Sequence, residues 1–350
     1  MTPVKNTRVL FNEIPKGYPV PGKTTIVDDS QTIDHKTVPL NGGILLKVLV
    51  LSIDPYMRGK MREPTIESYS PPYLVGKPLD GHGVAVVLRS EFEGAKPGDH
   101  VDSSNTPFYS HPAAHQEYYV LPNLDGVRIL HKHPKLSWTT YVGAAGMPGQ
   151  RAYMAWKEYS KAKKGETAFV TAGGGPVGSM VIQLAKLDGL KVIASAGSDA
   201  KVQFLKEIGA DVAFNYKTKK TVDVLKKEGP IDIYWDNVGG ETLENALEAA
   251  NLYARFIECG MISTYNTQFQ GVRNLLLIVG KRITMTGFIV GDLVAKYGDE
   301  FYASIPEKLA SGEIKFNEQV SYGLDKVGQV IADVQHGRNT GKAVIVVANE

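Results

Sequence analysis

The residues in this chain whose spacing most directly implies chemistry are three glycines. Gly173, Gly175 and Gly178 stand at G-x-G-x-x-G spacing directly after the apolar run Thr167-Ala168-Phe169-Val170. Glycines at those positions allow a tight turn, close approach of backbone to a pyrophosphate, and close packing of a helix on a strand. In the segment that follows, Val177, Met180, Val181 and Leu184 fall at i, i+3, i+4 and i+7, one face of a buried helix. The free N–H groups of its first turn would point at a phosphate. A bare triplet also fits a flexible turn. A second β-type run, Lys191-Val192-Ile193-Ala194-Ser195, completes a β-α-β unit of roughly 30 residues and favours a dinucleotide site.

Which chemistry the dinucleotide would serve depends on what else the chain can bring. Its single cysteine, Cys259, forbids an internal disulfide and any cysteine-built zinc site. His111, His115, His131 and His133 lie in loop-like sequence with nothing to fix them as ligands, so no metal is expected. Alcohol oxidation needs a Lewis acid or a base for the hydroxyl proton. Reduction of a C=C bond conjugated to a carbonyl asks less: placement, a hydrogen-bond donor for the enolate oxygen, and a proton for the α-carbon. Tyr265, in Ser263-Thr264-Tyr265-Asn266, is the first candidate donor and Tyr56, in Asp54-Pro55-Tyr56-Met57-Arg58, the second. Packing or plain substrate contact is the competing role for both. Tyr69, Tyr73 and Phe108 are candidates to roof an apolar pocket, or are simply surface or core aromatics.

These residues need a scaffold, and the sequence predicts two. Up to about residue 145, short β-like runs such as 43–51 and 83–88 are broken by Pro and Gly clusters, the pattern of an irregular β-rich domain. From 146 to 312 strands alternate with helices: runs at 167–172, 191–195, 212–214, 231–236, 255–259 and 283–288 predict a six-stranded, doubly wound parallel α/β sheet, a Rossmann fold. Residues 313–350 turn β-like again at Ala343-Val344-Ile345-Val346-Val347, a tail expected to rejoin the first domain. Of the 350 residues 43% are hydrophobic and 22% charged, ordinary for a globular α/β enzyme. A net charge of +2 gives no electrostatic case for nucleic acid or an anionic membrane. The N-terminus lacks the apolar core of a signal peptide and no run approaches membrane-spanning length, so a cytoplasmic protein is expected.

The second strand ends in Ala196-Gly197-Ser198 without the carboxylate that usually binds the ribose 2′-hydroxyl of NAD. With Lys201 close behind, that favours NADPH. Asp199 and Lys201 also read as ordinary first-turn and solvated helix residues.

The chain resembles the zinc-independent medium-chain dehydrogenases/reductases, in the branch of prostaglandin reductases (leukotriene hydroxydehydrogenases) and NADP-dependent alkenal double-bond reductases. The resemblance rests on Ser52-Ile53-Asp54-Pro55-Tyr56-Met57-Arg58, Gly146-Met147-Pro148-Gly149, Ala196-Gly197-Ser198-Asp199-Ala200-Lys201, Phe214-Asn215-Tyr216-Lys217, Asp236-Asn237-Val238-Gly239-Gly240, Cys259-Gly260-Met261-Ile262-Ser263-Thr264-Tyr265-Asn266 and Asn339-Thr340-Gly341-Lys342. It implies a GroES-like first domain and NADPH/NADP as cofactor. By position, Lys201 resembles the 2′-phosphate lysine and Tyr216 the adenosine-side tyrosine, while Gly175, Pro176, Val177 and Gly178 would bind the pyrophosphate. Asn237 would lie on the cofactor's path, or else is a turn former. Met147, the segment Cys259, Gly260, Met261, Ile262, Ser263, Thr264 and Tyr265, the segment Phe288, Ile289 and Val290, and Asn339 would complete the cofactor site, with Cys259 a wall residue rather than a nucleophile. The family's Leu-Thr-Ala-Tyr is here Gln150-Arg151-Ala152-Tyr153, which removes a threonine hydroxyl, and its Gly-Asp-x-Val-Trp-Gly is Gly98-Asp99-His100-Val101-Asp102-Ser103. Gly81-His82-Gly83 imitates the Gly-His-Glu of zinc enzymes, which aligns better with Gly76-Lys77-Pro78.

The expected activity is NADPH-dependent reduction of the C=C bond of small apolar α,β-unsaturated aldehydes and ketones by a homodimer. A quinone reductase, an NADP-dependent secondary-alcohol dehydrogenase of the eicosanoid type, and a non-catalytic NADPH-binding protein are the alternatives on the same scaffold.

Overall fold

A computed structural model describes residues 3–102, 113–267 and 271–350. The chain forms two compact units, one from residues 1–147 with 318–350, the other from 148–317.

The second unit is the doubly wound one. Its strands are β1 (Thr167–Val170), β2 (Lys191–Ala196), β3 (Val212–Asn215), β4 (Ile231–Asp236), β5 (Ala250–Glu258) and β6 (Thr284–Gly287). They alternate with helices α1 (Pro176–Leu187), α2 (Asp199–Glu207), α3 (Thr221–Glu228), α4 (Gly240–Ala249), α5 (Leu276–Lys281) and α6 (Gly291–Ala310). All pairings are parallel, in the order β3-β2-β1-β4-β5-β6. Helices on both faces require strands that are apolar on both sides. The central ones are: Phe169, Ile193, Tyr234, Trp235 and Phe256 are all fully buried. Phe169 lies opposite both Ile193 and Tyr234 in register, and the rings of Phe169, Tyr234 and Phe256 run in series at 5.4 and 5.0 Å between centroids. The strand order reverses between β1 and β4, and ligands of such sheets bind outside the carboxyl ends at that point.

Two boundaries differ from the sequence expectation. β5 begins at Ala250 rather than 255, because its register slips between the Ile231 and Ile233 partners and Tyr253 takes φ of 64°. Leu252 and Tyr253 are exposed at that irregularity, so the alternation that signals a strand is lost there. The unit also extends past 312 to Asn317. Gln183 of α1 donates to the Lys315 carbonyl at 2.8 Å and accepts from the Lys315 N–H at 2.8 Å, and Ile314 is buried.

The first unit holds a seven-stranded sheet centred on residues Ile44–Ser52. That strand pairs antiparallel with Gly83–Ser90, Tyr118–Leu121 and the tail strand Lys342–Val346, which in turn pairs parallel with Glu318–Tyr322. Where the tail meets the central strand lies a buried ion pair. Lys342 Nζ donates to Asp54 Oδ1 at 2.8 Å and to the Ile53 carbonyl at 2.7 Å, with both side chains almost wholly buried. Burial works to raise the Asp54 carboxyl, but the Lys342 ammonium, with His82 and the Ser52 hydroxyl, outweighs it and holds the pKa below its ordinary value.

Removing one partner of such a pair leaves an uncompensated buried charge. Lys342→Met is therefore expected to lower unfolding free energy by about 3–5 kcal/mol, read by denaturant titration, whereas the double substitution Lys342→Met with Asp54→Leu should recover much of the loss. An unchanged midpoint in the single variant would show that the pair does not hold the tail.

Candidate active site

In three dimensions the glycine loop makes a tight turn into α1. Gly175 caps α1 with Pro176 at the first helical position. A Cβ on Gly178 would sit 2.7 Å from the Ala172 carbonyl oxygen and 2.8 Å from Gly173 Cα, so the helix can approach the loop this closely only as glycine. The turn is fastened by Gly173 N–H to the Ser195 carbonyl at 2.8 Å and Gly175 N–H to the Ala172 carbonyl at 3.0 Å, with Ala172 at φ of 48°. The N–H groups of Val177 and Gly178 lie in the first turn of α1, where no carbonyl of the helix can reach them. Together with the helix dipole they could hold an anion at the switch point.

At the end of β2 the residues suit a second anion. Ser198 caps α2, accepting from the Lys201 N–H at 3.4 Å. The Lys201 stem passes 3.1–3.3 Å from where a Cβ on Gly174 would stand, which brings the lysine against the glycine loop. Burial, and then the charge of Lys217, hold the Lys201 ammonium below its ordinary pKa, so a phosphate there would meet two lysines. The Tyr216 hydroxyl lies 2.9 Å from the position of a Cβ on Gly197. Asp199, at the start of α2, accepts from the Asn215 side chain at 2.9 Å.

The loop after β5 is built on the end of β4. The Asp236 carbonyl accepts from Cys259 N–H at 2.9 Å and Gly260 N–H at 3.1 Å, the Asn237 carbonyl from Ile262 N–H at 3.2 Å, and the Val238 carbonyl from Ser263 N–H at 3.1 Å and from its hydroxyl at 2.5 Å. Gly239, at φ of 72°, must be glycine, because a Cβ would lie 2.7 Å from the Met261 side chain. Ile262–Thr264 form one 3-10 turn, which brings Tyr265 back over the loop. Its hydroxyl rests 3.2 Å from the position of a Cβ on Gly260.

Several residues chosen from sequence hold the frame. Asn237 donates to the Thr171 carbonyl at 2.6 Å and accepts from Trp235 Nε1 at 3.3 Å, so its side chain ties β1 to β4. Asn339 donates to the Gly341 carbonyl at 2.8 Å within its own turn. Phe288 packs edge-on to Trp235 at 5.8 Å and Val290 is buried at the start of α6. The Cys259 thiol pKa is raised by burial. Met147 is buried where a helix, Met147–Tyr159, begins. In the first unit Tyr56 is buried and its ring meets His82 edge-on at 5.9 Å. Tyr73 is no pocket roof: it is buried, donates to the Asp80 carbonyl at 2.7 Å, and carries Lys60 Nζ 4.6 Å over its ring. Tyr69 is exposed; Phe108 and His111 lie outside the described residues. His115 is not a surface loop residue but is fully buried.

Sequence reasoning missed one feature of this site. Asp236 and Glu258 are register partners at the carboxyl ends of β4 and β5. Asp236 Oδ1 accepts from the Val238 and Gly239 N–H groups at 2.7 and 2.8 Å, while the buried Glu258 carboxyl lies against the Asp236 carboxyl. The only sequence signal was an acid closing each of two apolar strands.

Among the described residues no three His, Cys, Asp or Glu side chains are gathered as a metal site, and no helix is long and apolar enough to cross a membrane.

Comparison with known proteins agrees with this architecture. Residues 176–307 match the family model for zinc-binding dehydrogenase, and residues 8–116 that for the N-terminal domain of oxidoreductase. The chain is 40% identical over 355 residues to the NADP-dependent oxidoreductase RED1 of Cochliobolus heterostrophus, covering 99% of this chain and 98% of that one. It is 38% identical over 356 residues to a 2-alkenal reductase (NADP(+)-dependent) of Nicotiana tabacum, covering 99% of each. The crystal structure of CurA in complex with NADPH from Vibrio vulnificus superposes with a TM-score of 0.86 at 30% identity, covering 98% of this chain and all of that one. The chain belongs to the zinc-independent medium-chain dehydrogenase/reductase family and is an oxidoreductase.

The carboxyl pair gives the candidate site a pH signature. Burial, and then the Asp236 charge, push the Glu258 carboxyl up to about 9. Because the folded pKa lies above the ordinary value of 4.5, the native state retains a proton that the unfolded chain releases, and stability falls as pH climbs from about 4.5 to about 9. Glu258→Gln is expected to match the parent near pH 5 and to gain on it as pH rises, by up to about 1.4 kcal/mol per pH unit. Urea midpoints at pH 5, 7 and 9 would test this; a gap independent of pH would contradict it.

Proposed function

We propose that this protein reduces the C=C bond of small apolar α,β-unsaturated aldehydes and ketones with NADPH. The observation that carries the reading is Tyr265, whose hydroxyl is held over Gly260 on a loop anchored to the end of β4, beside the switch point where the dinucleotide cradle forms. The cradle fits NADPH: Gly175, Pro176, Val177 and Gly178 would hold the pyrophosphate, and Lys201 with Tyr216 the 2′-phosphate end. The names of the tobacco relative and of the CurA complex accord with that cofactor and, for the former, with an alkenal.

When bound, NADPH would supply the hydride, and the chain's part would be to position the enal and stabilise the charge that collects on the enal oxygen. Tyr265 would donate a hydrogen bond to that oxygen as charge collects there. Tyr56, in the first unit, is the second candidate donor, and water would deliver the proton to the α-carbon. A phenol with a pKa near 10 is a good donor but a slow acid at neutral pH, so turnover falls without vanishing when one tyrosine is lost.

We also propose a homodimer. Among the described residues β6 is an outer strand paired with β5 alone, and Leu252, Tyr253, Leu276 and Val279 are exposed in β5 and α5. An unpaired edge flanked by apolar surface favours a second copy. Sedimentation at twice the chain mass at micromolar concentration is the expected result; a monomer would contradict it.

Purified protein with a medium-chain 2-alkenal should oxidise NADPH well in preference to NADH and yield the saturated aldehyde. Lys201→Ala should raise KM for NADPH about tenfold or more while leaving that for NADH nearly unchanged. Tyr265→Phe should lower kcat about 10- to 100-fold. An allylic alcohol as product would indicate carbonyl reduction, and turnover of quinones alone would favour a quinone reductase. Wild-type kcat/KM in Tyr265→Phe would remove that residue from the mechanism.

A further inference from the structure

Within the second unit an acid stands close to the lysine assigned to the 2′-phosphate. Asp199 is in the first turn of α2, where the helix dipole favours a negative charge, and Lys201 follows two residues later. A carboxylate near that point would oppose a phosphate. Asp199 is not left to swing there: its Oδ1 accepts from Asn215 Nδ2 at 2.9 Å, which fixes it to the carboxyl end of β3. Asn215 is the register partner of Ala196, the last residue of β2, so the two strand ends and the start of α2 meet. The pairing continues one step further, with Tyr216 N–H donating to the Ala196 carbonyl at 3.1 Å.

The other polar atoms of Asn215 turn the chain. Its Oδ1 accepts from the Lys217 N–H at 3.1 Å, and its carbonyl from the Thr218 and Lys219 N–H groups at 3.1 and 2.9 Å. An asparagine suits such a turn because its side chain bonds backbone two residues on. Only an amide serves both neighbours, donating to a carboxylate with one atom and accepting from an N–H with the other. The turn sets Lys217 near enough to Lys201 for the two ammonium charges to oppose each other. Lys186 and Lys191 of the same unit pair with Asp211 and Glu228, whereas among the described residues the exposed Lys217, Lys219 and Lys220 have no carboxylate within ion-pair distance. Like charges held side by side are relieved by an anion that meets both.

We propose that Asn215 is a positioning residue for recognition of the 2′-phosphate of NADPH, fixing the Asp199 carboxylate at the end of β3 and turning the chain so that Lys217 joins Lys201 as a cation for that phosphate. Preference for NADPH over NADH then depends on a hydrogen-bonding amide as well as on the lysines. The inference rests on Lys201 and Tyr216 as the 2′-phosphate end of the cofactor site.

The test is binding, measured by calorimetry with adenosine 2′,5′-bisphosphate, which carries the 2′-phosphate, and with adenosine 5′-monophosphate, which lacks it. Asn215→Asp keeps the acceptor of the turn and sets a second carboxylate against Asp199. It is expected to weaken the bisphosphate about tenfold and the monophosphate by less than about twofold. Adding Asp199→Asn, which exchanges amide and acid between the two positions, should restore most of the affinity. Lys217→Ala, at an exposed position, should weaken the bisphosphate about three- to tenfold, with the loss shrinking as salt is raised. Equal loss of both ligands in Asn215→Asp, no recovery in the double variant, or parental affinity for the bisphosphate in Lys217→Ala would each overturn the proposal. A parent protein that binds the two ligands equally would refute the 2′-phosphate assignment itself, and the proposal with it.

Discussion

The constraint on which the second unit depends is the way the carboxyl ends of β1 and β4 are tied together beyond their last sheet hydrogen bonds. Thr171 donates from its hydroxyl to the Trp235 carbonyl at 3.1 Å and accepts from the Asn237 N–H at 2.8 Å, while the Asn237 side chain closes on the Thr171 carbonyl. At that same point Asp236 uses one carboxylate oxygen on the turn at Val238 and Gly239, and its carbonyl on Cys259 and Gly260. The glycine loop leaves from β1 and the tyrosine-bearing loop is suspended from β4. Both candidate binding elements thus hang on one knot of buried polar groups, where satisfied hydrogen bonds in a low dielectric give geometric precision.

That knot also engages polar groups of residues with a functional appearance. Asn237 and Ser263 spend their polar atoms on carbonyls of neighbouring segments. What they leave for a ligand is backbone held in a defined place, the usual means of meeting a pyrophosphate or a nicotinamide ring. The price of the arrangement is the Asp236–Glu258 pair, two acids pressed together at strand ends where burial favours at most one charge.

The first unit uses the opposite device. Its sheet is closed by a tail strand from the far end of the chain, and the joint is an ion pair, Lys342 with Asp54, two residues from Tyr56. Backbone immediately before a candidate reactive side chain is thereby fixed by the last strand in the sequence. Breaking a pair of this kind is costly even where forming it adds little, so it acts as a registration mark for the tail.

The sequence alone determined the alternation of β1 to β6 with their helices, the glycine cradle, the lack of a carboxylate at the end of β2, and Tyr56 and Tyr265 as candidate donors. These are local signals: hydrophobic period, glycine spacing, and residue type at a strand end. The tertiary structure decided which polar side chains face each other across strands far apart in sequence. Glu258 meets Asp236 only because β4 and β5 pair in that register, and Asn237 turns inward only because Thr171 is there to receive it. The early start of β5 was illegible because its slip exposes Leu252 and Tyr253 and breaks the alternation. His115 read as one loop histidine among several until the Asp80–Gly81 and Ala113–Ala114 pairing buried it beside Tyr56. Periodicity reports which face of an element is buried, whereas partners across an interior are set by pairing and packing that no local window contains.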